Sequence, residues 1–254
     1  MRKPNLIPEL EPYWNEYTDE KYQRTMKPVK VVFEMASPIL GYDHIMFDSL
    51  LARLVVDEAT GGIGLDDTQS PFLLPVPLKL IWKNGGGFPL WAANSIDPLT
   101  EAVDITEYHH KRFVREEHGK LKKGVKKSAI TSKKGRFKEK RMQIPGKYAE
   151  FWGCTCIGDI EEIHRLLSSV SSIGKKRAGS IKNMYIGGIS EFNFNRFVPL
   201  QFLIDYNDGN VDFYGGIDKL HQFSLEMAEK SWTPPYWVGV PETRTNCVFL
   251  GEAK

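Results

Sequence analysis

The stretch Tyr148–Ile189, YAEFWGCTCIGDIEEIHRLLSSVSSIGKKRAGSIKNMYIGGI, decides the fold. Its first ten residues are apolar and aromatic, and they read as a core strand. Asp159 and Glu162 then stand at the N-cap and N3 spacing of a helix start. Ile160, Ile163, Leu166, Leu167 and Val170 form one apolar stripe behind them. Ser171–Ser180 breaks the helix, and Ile181–Ile189 reads as a further strand. The unit is therefore β-α-β.

A second such unit lies upstream. Val29–Met35 is a β-branched run that ends near Pro38, and it predicts a strand. Phe47, Leu50, Leu51, Leu54 and Val55 repeat at helical spacing. Asp43 or Asp48 is expected to cap this helix, and Gly61-Gly62 to end it. Val76–Trp82 predicts a second strand, and Phe88–Ala93 its hairpin partner across Gly85–Gly87. A long insert is expected over about 95–147. The order β-α-β, insert, β-α-β predicts an α+β fold of the ferredoxin-like or RRM-like kind. Residues 1–26 read as an arm, and Met26-Lys27-Pro28 as an alternative start. Residues 192–254 read as an extension packed on the same domain, with a short helix near 217–230.

Composition bounds the function. The chain has 254 residues, 41% of them apolar and 12% aromatic, enough for a core. No apolar run approaches the roughly 18 residues of a membrane span. The N-terminus lacks the apolar stretch of a signal peptide. Three cysteines (Cys154, Cys156 and Cys247) are too few for a disulfide framework. A cytoplasmic protein with reduced thiols and no membrane partner is the expectation.

The net charge of +2 hides a strong asymmetry. Between Lys111 and Lys147 stand fifteen Lys/Arg and three acids, a local charge of +12 that leaves −10 for the remainder. Such a stretch cannot enter a core, because unpaired buried cations cost several kcal/mol each. It is either a solvated loop or the partner of a polyanion, and a phosphate backbone fits best. The candidate contacts are Arg112, Arg115, Lys120, Lys122, Lys123, Lys126, Lys127, Lys133, Lys134, Arg136 and Lys138. The loop Gly174-Lys175-Lys176-Arg177-Ala178-Gly179 adds three adjacent cations between glycines that let backbone N–H groups approach a phosphate. It lacks the spacing of a nucleotide-triphosphatase phosphate loop. Taken alone, it is equally a Gly-capped helix end followed by a solvated turn. Tyr148, Phe151, Trp152 and Tyr185 are candidate stacking platforms, with core packing the stronger reading for strand aromatics.

Acid–base chemistry has its own candidates. His44, Tyr108, His110 and Lys111 carry the groups that metal-free RNA cleavage needs. A metal site is not expected, because Cys154-Thr155-Cys156 with Cys247 does not make a zinc cage. No cofactor motif occurs in its required context.

Several blocks together resemble the CRISPR-associated RAMP superfamily, and more narrowly the Cas-five-like subunit (Csf-three family) of type IV effector complexes. Asp48-Ser49-Leu50-Leu51-Ala52 matches its D-x-L-L-A helix start. Gly158-Asp159, Ile163 and Leu166-Leu167 match its second helix, and Ile173–Arg177 its glycine-rich loop. Pro234-Pro235-Tyr236-Trp237 matches a C-terminal element. The resemblance implies an RRM-like body that caps the 5′ handle of a CRISPR RNA (crRNA), with a thumb inserted between the second and third core strands. Lys111–Arg141 would be that thumb, and Lys175, Lys176 and Arg177 part of the handle pocket. The implied partners are crRNA, the repeated backbone subunit, the large subunit and target DNA, with no catalysis by this chain. Two other readings stand beside it. One is a metal-independent precursor-RNA endonuclease that uses the His/Lys/Tyr set. The other is a generic basic RNA adaptor on an unrelated α+β domain.

Overall fold

The computed structural model describes residues 4–41, 45–65, 72–111, 140–174, 178–211, 223–234 and 244–251. The chain opens with helices α1 (Glu11–Tyr17) and α2 (Glu20–Thr25). Strands β1 (Lys27–Met35), β2 (Ile39–Leu40) and β3 (Ile45–Met46) lead into helix α3 (Phe47–Ala59). Next come β4 (Leu80–Lys83), β5 (Pro89–Trp91), β6 (Ser95–Pro98), β7 (Val103–Lys111), β8 (Lys140–Tyr148) and β9 (Phe151–Gly158). Helix α4 (Ile160–Leu167), β10 (Ser172–Ile173) and β11 (Gly179–Gly188) complete the quoted stretch. The remainder holds β12 (Arg196–Pro199), α5 (Leu200–Asn207), β13 (Phe223–Ser231) and β14 (Arg244–Leu250).

The protein mixes helices with antiparallel sheets, compatible with the expected α+β class. The main sheet has the order β10-β11-β1-β9-β6-β3. Strand β1 runs antiparallel to both neighbours, with Val31 opposite Ile186 on β11 and Cys154 on β9. Val29, Val31 and Phe33 alternate onto one face, where they meet the buried stripes of α3 and α4 in one core. Cys154 and Cys156 face this core and Ile157 belongs to a second one. Burial pushes both thiols well above their ordinary pKa, so neither is a ready nucleophile or metal ligand.

The second core packs residues 192–250 against Met26, Trp82, Phe88 and Ile157. A fully buried ion pair ties this extension to the body. Arg196 Nη1 lies 3.0 Å from Asp48 Oδ2 and donates to the Ala93 carbonyl at 2.9 Å, while Nη2 donates to the Trp232 carbonyl at 2.8 Å. Asp48 is therefore a buried anchor and not the N-cap of α3, which is Met46. Asp43, the other expected cap, lies outside the described residues.

Three further expectations are corrected. The second strand of the body is not 76–82. Leu80–Lys83 pairs in a separate hairpin with Pro89–Trp91, and Ser95–Pro98 lies next to β9. The reason is local. Pro75 and Pro77 bring no N–H donor, and the Gln23 amide takes both the Leu78 carbonyl and the Leu80 N–H. The segment Trp91–Ile96 is buried throughout despite its weak strand composition, and Asn94 donates to the Thr155 carbonyl at 3.0 Å.

The insert accordingly begins after Pro98, and its base is the paired ribbon of β7 and β8. The helix expected near 217–230 is also absent over 223–231, where alternating residues pair with β14. Residues 212–222 lie outside the description.

The arm is helical and built in. Leu10 and Tyr17 are fully buried. Tyr13 donates to Glu58 at 2.8 Å and Tyr17 to Glu162 at 2.6 Å. Arg165 of α4 reaches both carboxylates and closes the network, holding each below the usual carboxylate range. Glu162 thus serves Arg165 and Tyr17, while Asp159 caps α4 as expected by accepting from the Glu161 and Glu162 N–H groups.

Candidate nucleic-acid interface

Two basic segments far apart in sequence meet across one short strand. β2 pairs with β8, Ile39 opposite Lys147 and Leu40 opposite Gly146. The approach is close because Gly146 has no side chain. A Cβ there would lie 2.7 Å from the Ile39 carbonyl oxygen and from a Leu40 methyl. The other side of Ile39 meets the glycines of the basic loop. A Cβ on Gly174 would lie 2.7 Å from Ile39 Cγ2, and one on Gly179 would lie 2.8 Å from Cγ1. Gly174 also has φ +89°, a left-handed value that glycine adopts at little cost.

The loop's stem is fixed from both sides. Ser172 pairs with Ser180 and Ile173 with Gly179, which makes β10–β11 a hairpin around residues 174–178. The Ser37 hydroxyl donates to the Ala178 carbonyl and accepts from the Ser180 N–H, each at 2.8 Å. Thus Ser37-Pro38-Ile39-Leu40 holds the stem of the basic loop and the base of the basic ribbon together.

The ribbon carries the charged insert at its far end. β7 and β8 stay in register from Val103–Tyr148 to Lys111–Lys140. The chain leaves at Lys111 and returns at its register partner. The residues between, 112–139, hold eleven of the fifteen Lys/Arg.

Of the candidate residues, Gly174 and Gly179 lie at the junction just described. Lys175, Lys176 and Arg177 fall between them, outside the described residues, as do all eleven insert cations from Arg112 to Lys138 and His44. Tyr108 is on β7, 46% exposed, and its hydroxyl accepts from Gln143 Nε2 at 3.0 Å. His110 and Lys111 are on the same strand, in register with Arg141 and Lys140. Among the stacking candidates, Trp152 is buried in the first core, whereas Tyr185 is 53% exposed and donates to Glu34 at 3.3 Å. Among the described residues, no group of three or more His, Cys, Asp or Glu is placed to hold a metal ion. No described helix is long and apolar enough to cross a membrane.

Sequence reasoning missed Ser37, Ile39 and Gly146. The signal was faint: a Pro-flanked dipeptide and one glycine in a charged context. A test follows from the clearances. Gly146→Ala forces the Ile39 carbonyl or the ribbon to move, and overpacking of this kind costs about 1–3 kcal/mol. A lower urea midpoint together with weaker oligonucleotide binding is expected. Unchanged binding at reduced stability would separate the ribbon from the loop.

No protein-family model matches the chain, and no curated protein matches its sequence.

Proposed function

We propose that the protein is a non-catalytic crRNA-binding subunit of the Cas-five-like kind in a type IV CRISPR ribonucleoprotein. It caps the 5′ handle and assists assembly and target DNA recognition. The observation that carries this reading is the junction at β2. It brings the stem of the Lys175–Arg177 loop to the base of the ribbon that bears the +12 segment. Two cationic segments on one short strand suit a single continuous polyanion better than two unrelated solvated loops.

The topology supports the family part of the proposal. The order β11-β1-β9-β6, with α3 and α4 as crossovers, is the arrangement expected of a ferredoxin-like body. The ribbon enters between β6 and β9, the second and third strands of that body, where a thumb would be inserted. The partners proposed are crRNA, target DNA, the repeated backbone subunit and the large subunit.

Incubation with CRISPR-repeat RNA in EDTA tests the non-catalytic part. The expected result is intact RNA, retained in preference to a scrambled sequence. Cleavage that disappears in His110→Ala would replace the binder with a metal-independent nuclease. Retention without any preference would leave only a generic basic adaptor.

A further inference from the structure

A groove of about 1170 Å³ runs between α3 and the segment from Arg165 to Gly174. Its walls end at Gly41 and at Gly174, the residue immediately before Lys175-Lys176-Arg177. Any strand whose phosphate is held by those cations therefore passes the mouth of the groove. The groove is larger than the roughly 300–1,000 Å³ of most small-molecule pockets, so a base with its sugar has room.

The lining says which part of a nucleotide it suits. Leu50, Leu54 and Leu166 contribute apolar surface, while Ser49, Ser168 and Ser169 supply hydroxyls. The lining charges neutralise one another. Arg53 Nε lies 2.9 Å from Asp57, and Arg165 Nη1 lies 2.8 Å from Glu58. The groove thus offers little to a phosphate. It also holds an unused acceptor, because Asp57 Oδ1 is buried and receives no hydrogen bond. A carboxylate oxygen beside apolar walls matches the N–H edge of an unstacked base.

We infer that this groove receives an unpaired nucleobase and its sugar, next to the phosphate taken by the Lys175–Arg177 loop. The inference rests on the strand-binding reading above and adds a base subsite to it. The base leaves water for the leucine surface, and its amino or imino N–H faces the Asp57 carboxylate. The sugar lies toward the serines.

An abasic walk tests it. A mixed-sequence single-stranded oligoribonucleotide, labelled with fluorescein at its 3′ end, is titrated with the full chain, and binding is read by fluorescence anisotropy. One base is removed at each position in turn. The expected profile dips at one position or two adjacent ones by roughly tenfold, the lower end of what losing one base's contacts costs. Ser169→Trp and Ser171→Trp fill the groove from its exposed rim, at two separate places, without touching the core. Both should abolish the dip while keeping wild-type circular dichroism.

Three results would overturn the inference. A flat walk with tight, salt-sensitive binding removes the base subsite and leaves strand binding standing. A dip that persists in both tryptophan variants places the base elsewhere. Failure to bind the unmodified oligonucleotide at low salt removes both the subsite and the reading beneath it.

Discussion

Replacing Lys175, Lys176 and Arg177 together with alanine is expected to weaken single-stranded RNA binding about a hundredfold at low salt. Each cation neutralises one phosphate, and charge-assisted contacts of this kind are stronger than neutral hydrogen bonds. Three lost contacts should also flatten the salt dependence. For single strands the slope of log K against log salt is about 0.7 per phosphate, so the change is about 2. The loop's stem is held by backbone pairing and by Ser37, so the substitutions leave the fold intact. Anisotropy titrations across a salt series measure both quantities. A triple variant with the wild-type slope would remove the loop from the interface.

The second large effect is on stability. Arg196→Met leaves Asp48 buried without its guanidinium, and leaves the Ala93 and Trp232 carbonyls without their donor. Removing one member of a buried pair typically costs about 3–5 kcal/mol, because the remaining charge has neither water nor a partner. Chemical denaturation should show a loss of that size. Adding Asp48→Leu to Arg196→Met should recover part of it, since no buried charge is then left unmatched. A single variant within about 1 kcal/mol of the wild type would mean that residues 192–250 are not anchored through this pair.

Much of this architecture was legible in the sequence, for reasons that differ by element. The β9–α4–β11 unit could be read because three signals agree there: apolar strands, a capped amphipathic helix and glycine punctuation. The helix Phe47–Ala59 was readable from periodicity, but the role of Asp48 was not. Its partner stands 148 residues away, and an acid in a first helical turn ordinarily signals a cap or a dipole contact. The second strand was misread because Val76–Trp82 looks like a strand by composition. Its donors are instead used by Gln23, and Trp91–Pro98 gains its place through burial. The helical arm was missed because its apolar residues, Leu10, Tyr17 and Met26, are too few to show a period.

The site was legible as charge and not as geometry. Fifteen cations in one window are visible to counting. That the window and the Lys175–Arg177 loop share a strand depends on contacts of Gly146, Gly174 and Gly179 with Ile39. Nothing local in Ile39-Leu40 marks it as the piece between them.

The central claim is that one polyanionic strand bridges the ribbon and the loop. Purifying the protein with whatever nucleic acid it carries, then extracting and sequencing that material, tests this most directly. The account predicts a discrete small RNA with one defined 5′ end. Protein that emerges free of RNA, or with fragments of random sequence and ends, would contradict it.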